Sequence, residues 1–406
     1  MIWVRLKTKK HQSNIMNFRS ETEFFQHVRE SLRRLQADAR QLQEAKGHLD
    51  HPEDLIVLDG TAGANRALKA IQDTAKNPKT ITIKWDGYPA LIFGHGPDGK
   101  FSIMDKHMFN KSDGTGRKIY SPQDFINYDK ARGVDRAELN GIISNIWAGL
   151  QKASEGTTGY YWGDLLFGNP LKDEKGLYKF RANPNGIAYT VDVDSEIGKL
   201  LTGKKAGIAV HQFLSPDAAT TDDASPLNGT IGQLKNDSDV AIVPSAMPTT
   251  PKIDLDKSLV SNVKSSIAKH GAAVEKLLST APQARNTFNQ LFTTFINKQI
   301  VAGDVSNMSE KFMDYFESRP MTASMKQKLT DHINANKAGV VGLFTIWAAV
   351  YALKQNIVEQ LAAAAEQSPV KGYLQSGKQS QEGFVSQGLK FVDRMGFSAQ
   401  NLAGQR

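Results

Sequence analysis

Strand-forming sequence stands on both sides of a long helical tract, so the question for this chain is whether the two flanks of that interruption meet. Residues 254–367 read as helix almost throughout, with apolar residues at helical spacing in 260–278, 288–300, 308–316, 321–333 and 340–361. Pro369 ends the run. Two short apolar runs follow, Glu382-Gly383-Phe384-Val385 and Leu389-Lys390-Phe391-Val392, joined at Gln387-Gly388. They read as a hairpin. The expectation is that this hairpin folds back across the helices to lie against strands from the first half of the chain.

The early strand that matters most lies within 80–94. In Thr80-Ile81-Thr82-Ile83-Lys84, the isoleucines face one side and Thr82 and Lys84 the other. Asp86-Gly87 then breaks the strand and a second apolar run returns. A lysine closing a buried strand beside an Asp-Gly turn is well placed to be a nucleophile. Its amine must be neutral to attack, and for a free lysine of pKa ~10.4 that costs about 4.6 kcal/mol at neutral pH. Desolvation and neighbouring cations offset such a cost. The matching chemistry is covalent capture of a nucleotide, which calls for other cations and a metal site near Lys84. Lys-x-Asp-Gly alone arises by chance in roughly one chain in ten of this length, so its weight depends on its company.

Composition narrows the field. The 406 residues are 40% hydrophobic and 23% charged, the profile of a globular protein with a sizeable core. There is no cysteine, which excludes disulfides, thiolate zinc sites and cysteine nucleophiles. A formal charge of +8 favours an anionic partner such as nucleic acid. No apolar stretch follows the basic residues Arg5, Lys7, Lys9 and Lys10, so no secretory signal is read. The uncharged run 338–353 is shorter than the ~20 residues of a membrane span and reads as a buried helix. A cytoplasmic protein without membrane contact is expected.

Along the chain, Phe24, Phe25, Val28, Leu32, Leu35 and Leu42 predict a helix over 21–46, with Ser20 and Glu23 as a capping box. His48-Leu49-Asp50-His51-Pro52-Glu53-Asp54 is a polar corner: a helix-capping loop in the ordinary reading, a metal site in the alternative. A second helix is predicted over 65–76. Pro97-Asp98-Gly99 is a hairpin turn, and 101–106 is the returning strand that carries Lys106, and with it Lys111, back toward Lys84. One or two helices span 122–154. An aromatic strand over 159–168 delivers Asp164, and further strands cover 187–193 and 207–213. Phe344, Trp347 and Tyr351 read as core. The pattern is α+β.

Lys84-x-Asp86-Gly87, Asp105-Lys106, Gly163-Asp164-Leu165, Gly207-Ile208-Ala209-Val210, Glu382-Gly383-Phe384-Val385 and Leu389-Lys390-Phe391-Val392 occur in that order. The series resembles the motifs of the covalent nucleotidyltransferases, the superfamily of ATP-dependent DNA and RNA ligases and mRNA-capping enzymes. It is also similar to ligase-like proteins of large tailed phages, which share the His-Leu-x-His-Pro-Glu-Asp corner. The resemblance implies a nucleotidyltransferase (ATP-grasp-like ligase) antiparallel-sheet core with a large all-α insertion. Its boundaries are an N-terminal helical segment 1–76, a first core part 77–245, an inserted helical domain 254–367 and a completing hairpin 370–406.

The same resemblance implies that Lys84 attacks the α-phosphate of ATP and that Asp86 and Gly87 belong to the nucleotide site. Asp164 would hold the ribose or a metal-bound water, and Glu382 with Asp164 would hold Mg²⁺, or Mn²⁺. Lys390 would touch the α-phosphate, Lys106 would meet the sugar or an incoming 5′-phosphate, and Phe213 or His211 would stack on adenine. Asp164 stands where the family usually has glutamate, and Val392 stands where it has a second lysine, with Arg394 as the substitute. The residues after Val392 are too few for the oligonucleotide-binding barrel that DNA ligases and capping enzymes append, which weighs against capping. The expectation is therefore an RNA ligase or nick-sealing enzyme acting on RNA or nicked DNA, in the host cytoplasm if phage-encoded. GTP in place of ATP, an end-modifying nucleotidyltransferase, an inactive nucleic-acid-binding or virion-associated protein, and a protein partner for the helical domain remain alternatives.

Overall fold

The computed structural model describes residues 2–5, 15–18, 49–111, 114–182, 186–227, 233–236, 238–245, 247, 250–281, 285–374, 377, 379 and 383–398. The helix expected over 21–46, its capping box and Glu382 lie outside these residues. β1 (Ile2–Arg5) and β2 (Ile15–Phe18) form an antiparallel pair.

The protein is mixed α and β, and strands from distant parts of the sequence meet in three sheets. α1 (Leu55–Lys76) is broken at Gly60, where the N–H and hydroxyl of Thr61 donate to Glu275. β3 (Thr82–Ile83) follows, then β4 (Ala90–His95) and β5 (Phe101–Met104), joined through the Pro97-Asp98-Gly99 turn. β5 ends before Asp105, whose carboxylate accepts from the Met108 N–H and starts the one-turn helix α2 (Lys106–Phe109). Lys106 therefore sits on a turn rather than on the strand expected over 101–106: a side-chain oxygen offered to a backbone N–H ended the strand.

α3 (Pro122–Ala131) and α4 (Ala137–Ala153) lead into β6 (Gly159–Phe167), then β7 (Leu177–Phe180), β8 (Ala188–Asp192), α5 (Glu196–Leu201) and β9 (Ala206–Leu214). β10 (Ser225–Pro226) and β11 (Val240–Val243) complete the first half. The main sheet runs β10-β9-β6-β4-β5, with β11 parallel to β9 on its other stretch. α3 and α4 share its core through Phe125, Ile143, Ile146 and Leu150.

Helices α6 (Lys257–Ser279), α7 (Arg285–Val301), α8 (Met308–Ser318), α9 (Ala323–Ala335) and α10 (Lys337–Glu366) form the helical part. α10 has the length and composition of a membrane span, yet 67% of its most apolar window is buried inside the protein. Trp347 is wholly buried and Phe344 nearly so. The helical core also contains Leu55, Ile56, Leu68 and Ile71 of α1. The boundary expected at residue 76 thus separates α1 from the helices it packs on, because α1 presents its apolar face to α6 and α10 rather than to a unit of its own.

β12 (Val370–Tyr373) joins β8 and β7 in a second sheet. β13 (Phe384–Ser386) and β14 (Leu389–Phe391) form the C-terminal hairpin, turning through Gln387 at φ 52° and Gly388 at φ 71°. Two positive φ values define the tight turn whose twist suits adjoining strands. β13 pairs antiparallel with β3, Phe384 opposite Ile83 and Val385 opposite Thr82. The hairpin returns across the helices as expected, and Phe384, Leu389 and Phe391 seal it onto the helical core.

Candidate active site: a cavity between the two halves of the chain

β3 and the C-terminal hairpin form one wall of a cavity of about 330 Å³, and β6 and β9 form the wall opposite. Lys84, Lys390, Asp164 and His211 all line it. Pockets that hold small molecules start near ~300 Å³. Lys84 leaves the end of β3 with its backbone N–H donated to the Gly383 carbonyl at 3.0 Å, and Lys390 is held by its own N–H on the Asp50 carbonyl at 2.9 Å.

The turn after Lys84 is scaffold. The Asp86 carboxylate accepts from the Ile187 N–H at 2.7 Å, and the Asp86 N–H donates to the Tyr189 hydroxyl at 2.7 Å. A Cβ on Gly87 would stand 2.5 Å from the Asp164 Cβ and 2.9 Å from the Leu165 carbonyl oxygen. Neither residue belongs to the cavity wall. Asp86 ties the turn to the 187–189 segment, and Gly87 lets the backbone pass against Asp164.

The far wall owes its composition to one irregularity. Trp162 is paired with Gln212, yet Gly163 is paired with Val210, so His211 is an extra residue in β9. Paired residues share a face, and an inserted residue reverses the alternation beyond it. Trp162 and Gln212, then Asp164 and Ala209, accordingly line the cavity, and His211 joins them. The His211 Nε2 lies 3.4 Å from the Asp164 carboxylate, and its ring centre lies 5.8 Å from that of Trp162. Beyond the bulge Phe213 turns to the other face and packs edge-on against Tyr161 at 5.4 Å. Phe213 therefore does not line the cavity, and of the two stacking candidates only His211 does. Gly163 within an aromatic strand was the one sequence sign of the bulge: a Cβ there would meet the Ala209 carbonyl oxygen at 2.6 Å.

Lys106 is not among the lining residues, and its ammonium lies 5.5 Å from the Trp162 ring centre. Its turn is pinned from the rear. Asp105 accepts from Arg132 at 2.8 Å and pairs with Arg136 at 2.9 Å, and both arginines also bind the fully buried Asp129. Burial pushes the Asp105 carboxyl up, but the Met108 N–H and Arg132 more than offset it and hold the group below its ordinary value. Lys111 rests over Tyr128 at 5.3 Å and is not part of the cavity wall.

The 48–54 corner proves to be an ion-pair anchor. Glu53 and Lys354 are both fully buried and paired at 2.7 Å. Arg394 binds Glu53 at 3.2 Å, Asp54 at 2.9 Å and the Asn297 side-chain oxygen at 2.6 Å. Trp347 donates to Asp54 at 3.0 Å. Burial raises Glu53, but Lys354, His51 and Arg394 outweigh it and bring its pKa down to about 2. His51, whose Nδ1 is buried without a partner among the described residues, is lowered to about 3, first by burial. Arg394 is thereby corrected as the stand-in for a second cavity lysine, because two carboxylates hold it beneath the hairpin. Among the described residues no group of three potential ligands could hold a metal ion.

Fold and cavity together define a mixed α/β protein whose lysine-bearing cleft is closed by a hairpin from beyond the helical tract. A family model described as a family of unknown function (DUF6267) matches residues 46–406, and the chain belongs to that family. No curated protein and no solved structure matches it.

Proposed function

We propose that this protein is an ATP-dependent polynucleotide ligase working through a lysyl-AMP on Lys84, as an RNA ligase or nick-sealing enzyme with a nucleotidyltransferase core. One observation carries the reading: Thr82 and Val385, 303 residues apart, are hydrogen-bonded neighbours, so the lysine that follows one strand and the lysine on the returning hairpin line a single cavity. Convergence of two amines and a carboxylate on a cleft of nucleotide size suits phosphate chemistry.

In the proposed reaction the neutral Lys84 amine attacks the α-phosphorus of ATP. The bond to the bridging oxygen breaks, pyrophosphate leaves with its electron pair, and the amine proton is released. Lys390, facing the same space, would neutralise charge growing on the α-phosphate. AMP then passes to a 5′-phosphate, and a 3′-hydroxyl displaces it to seal the strand. Asp164 suits Mg²⁺, which is often held by one or two carboxylates and otherwise by phosphate oxygens and water. Glu382 would be the second carboxylate, and the ion would supply charge neutralisation on the phosphates.

The test is a panel of nicked DNA, nicked RNA–DNA hybrid and single-stranded RNA ends, each with ATP and Mg²⁺. The proposal expects sealed product from at least one substrate, lost in Lys84→Ala. Adenylated ends without sealing would identify an end-modifying enzyme instead.

A further inference from the structure

The cavity wall carries a neutral polar side chain at Gln212. Gln212 is only 9% exposed, lies opposite Trp162 in the β6–β9 ladder and lines the cavity. Its amide makes no side-chain hydrogen bond with any described residue. The Trp162 indole N–H, its neighbour on the wall, is buried and likewise without a partner among the described residues. An amide on a cavity wall can pair a ligand that presents both a donor and an acceptor.

The character of the two walls sorts what that something is. Lys84 and Lys390 occupy the β3–hairpin side, where anionic groups are favoured. Gln212 offers a neutral donor and acceptor beside the Trp162 ring, which suits an uncharged heteroaromatic ring. An amide matches adenine in two bonds, accepting from the exocyclic amino group and donating to the adjacent ring nitrogen. On the N7 edge, where adenine pairs the amide through N6 and N7, guanine presents two acceptors, O6 and N7, and the amide can donate to only one of them.

The geometry points to Gln212 as the residue that reads the base of the bound nucleotide and selects adenine over guanine. This rests on the nucleotide-binding reading above and deepens it by naming the base and its reader. The bulge at His211 is what makes it work, because regular alternation beyond Val210 would put Gln212 and Trp162 out of register.

The experiment is isothermal titration of AMP and of GMP into the full chain, with Gln212→Met and Gln212→Glu alongside. Neither variant can reproduce the amide: methionine lacks both functions and the carboxylate lacks the donor. The wild type is expected to bind AMP at least about tenfold more tightly than GMP, the scale of one good bidentate base contact. Gln212→Met should bring the ratio to within about twofold by weakening AMP alone, whereas Gln212→Glu, which still accepts from the amino group, should weaken AMP without removing the preference. Equal binding of AMP and GMP by the wild type, or a preference kept at full size in Gln212→Met, overturns the assignment while leaving the nucleotide cavity intact. Failure of the wild type to bind either nucleotide overturns the parent reading with it.

Discussion

The backbone N–H of Lys84 donates to the carbonyl oxygen of Gly383 at 3.0 Å, which joins the end of the early strand to the first described residue of the returning hairpin. Gly383 stands at φ +155°, and a Cβ there would lie 2.5 Å from Val392 Cγ2 and 3.0 Å from the Phe391 carbonyl oxygen. The position therefore requires glycine both for its dihedral and for its closeness to β14. Gly383→Ala is expected to destabilise the protein by about 1–3 kcal/mol in urea unfolding. It should also abolish nucleotide capture at Lys84 under conditions where the chain remains folded by circular dichroism.

The ion network beneath the hairpin supports a second expectation. Removing one member of a fully buried pair leaves its partner's charge uncompensated, typically at a cost of about 3–5 kcal/mol. Glu53→Gln should fall in that range, since Lys354 is fully buried and Arg394 nearly so. The double variant Glu53→Gln/Lys354→Met should be more stable than Glu53→Gln alone, because it removes the stranded cation. Urea midpoints of the wild type, both single variants and the double variant measure this coupling directly.

Acid should loosen the same anchor, and the sign follows from its pKa values. His51 is held neutral, its pKa lowered from 6.5 to about 3 in the folded protein. Between those values the unfolded chain binds a proton that the folded one does not, so stability falls as pH drops through that window. Glu53, lowered from 4.5 to about 2, adds a loss of the same sign at lower pH. Across the His51 window, from about pH 6.5 down toward 3, urea midpoints should decline. His51→Gln should flatten the upper part of the decline and leave the lower part.

Sequence reading went furthest where local chemistry and tertiary need agree. The Lys84 strand, the Gln387-Gly388 turn and the five later helices follow from periodicity and turn residues alone, and the return of strand character after Pro369 demanded the closure that β3 and β13 make. It stopped where one residue changes the register. His211 is inserted opposite a regular strand, so Phe213 leaves the cavity and Gln212 enters it, and period-two alternation gives the opposite answer. Arg394 was illegible for another reason: its partners Glu53 and Asp54 lie 341 and 340 residues away. Asp86 and Gly87 were legible as a motif but not as scaffold, since their partners Ile187 and Asp164 lie 101 and 77 residues further along the chain.

The central claim is that Lys84 becomes covalently joined to a nucleotide in this cavity. Intact-protein mass spectrometry after incubation with ATP and Mg²⁺ tests it most directly, with Lys84→Ala and Lys390→Ala in parallel. The account predicts a mass increase of one AMP in the wild type, none in Lys84→Ala and a strongly reduced fraction in Lys390→Ala. An unmodified wild type with either ATP or GTP, or an adduct that persists in Lys84→Ala, would contradict it.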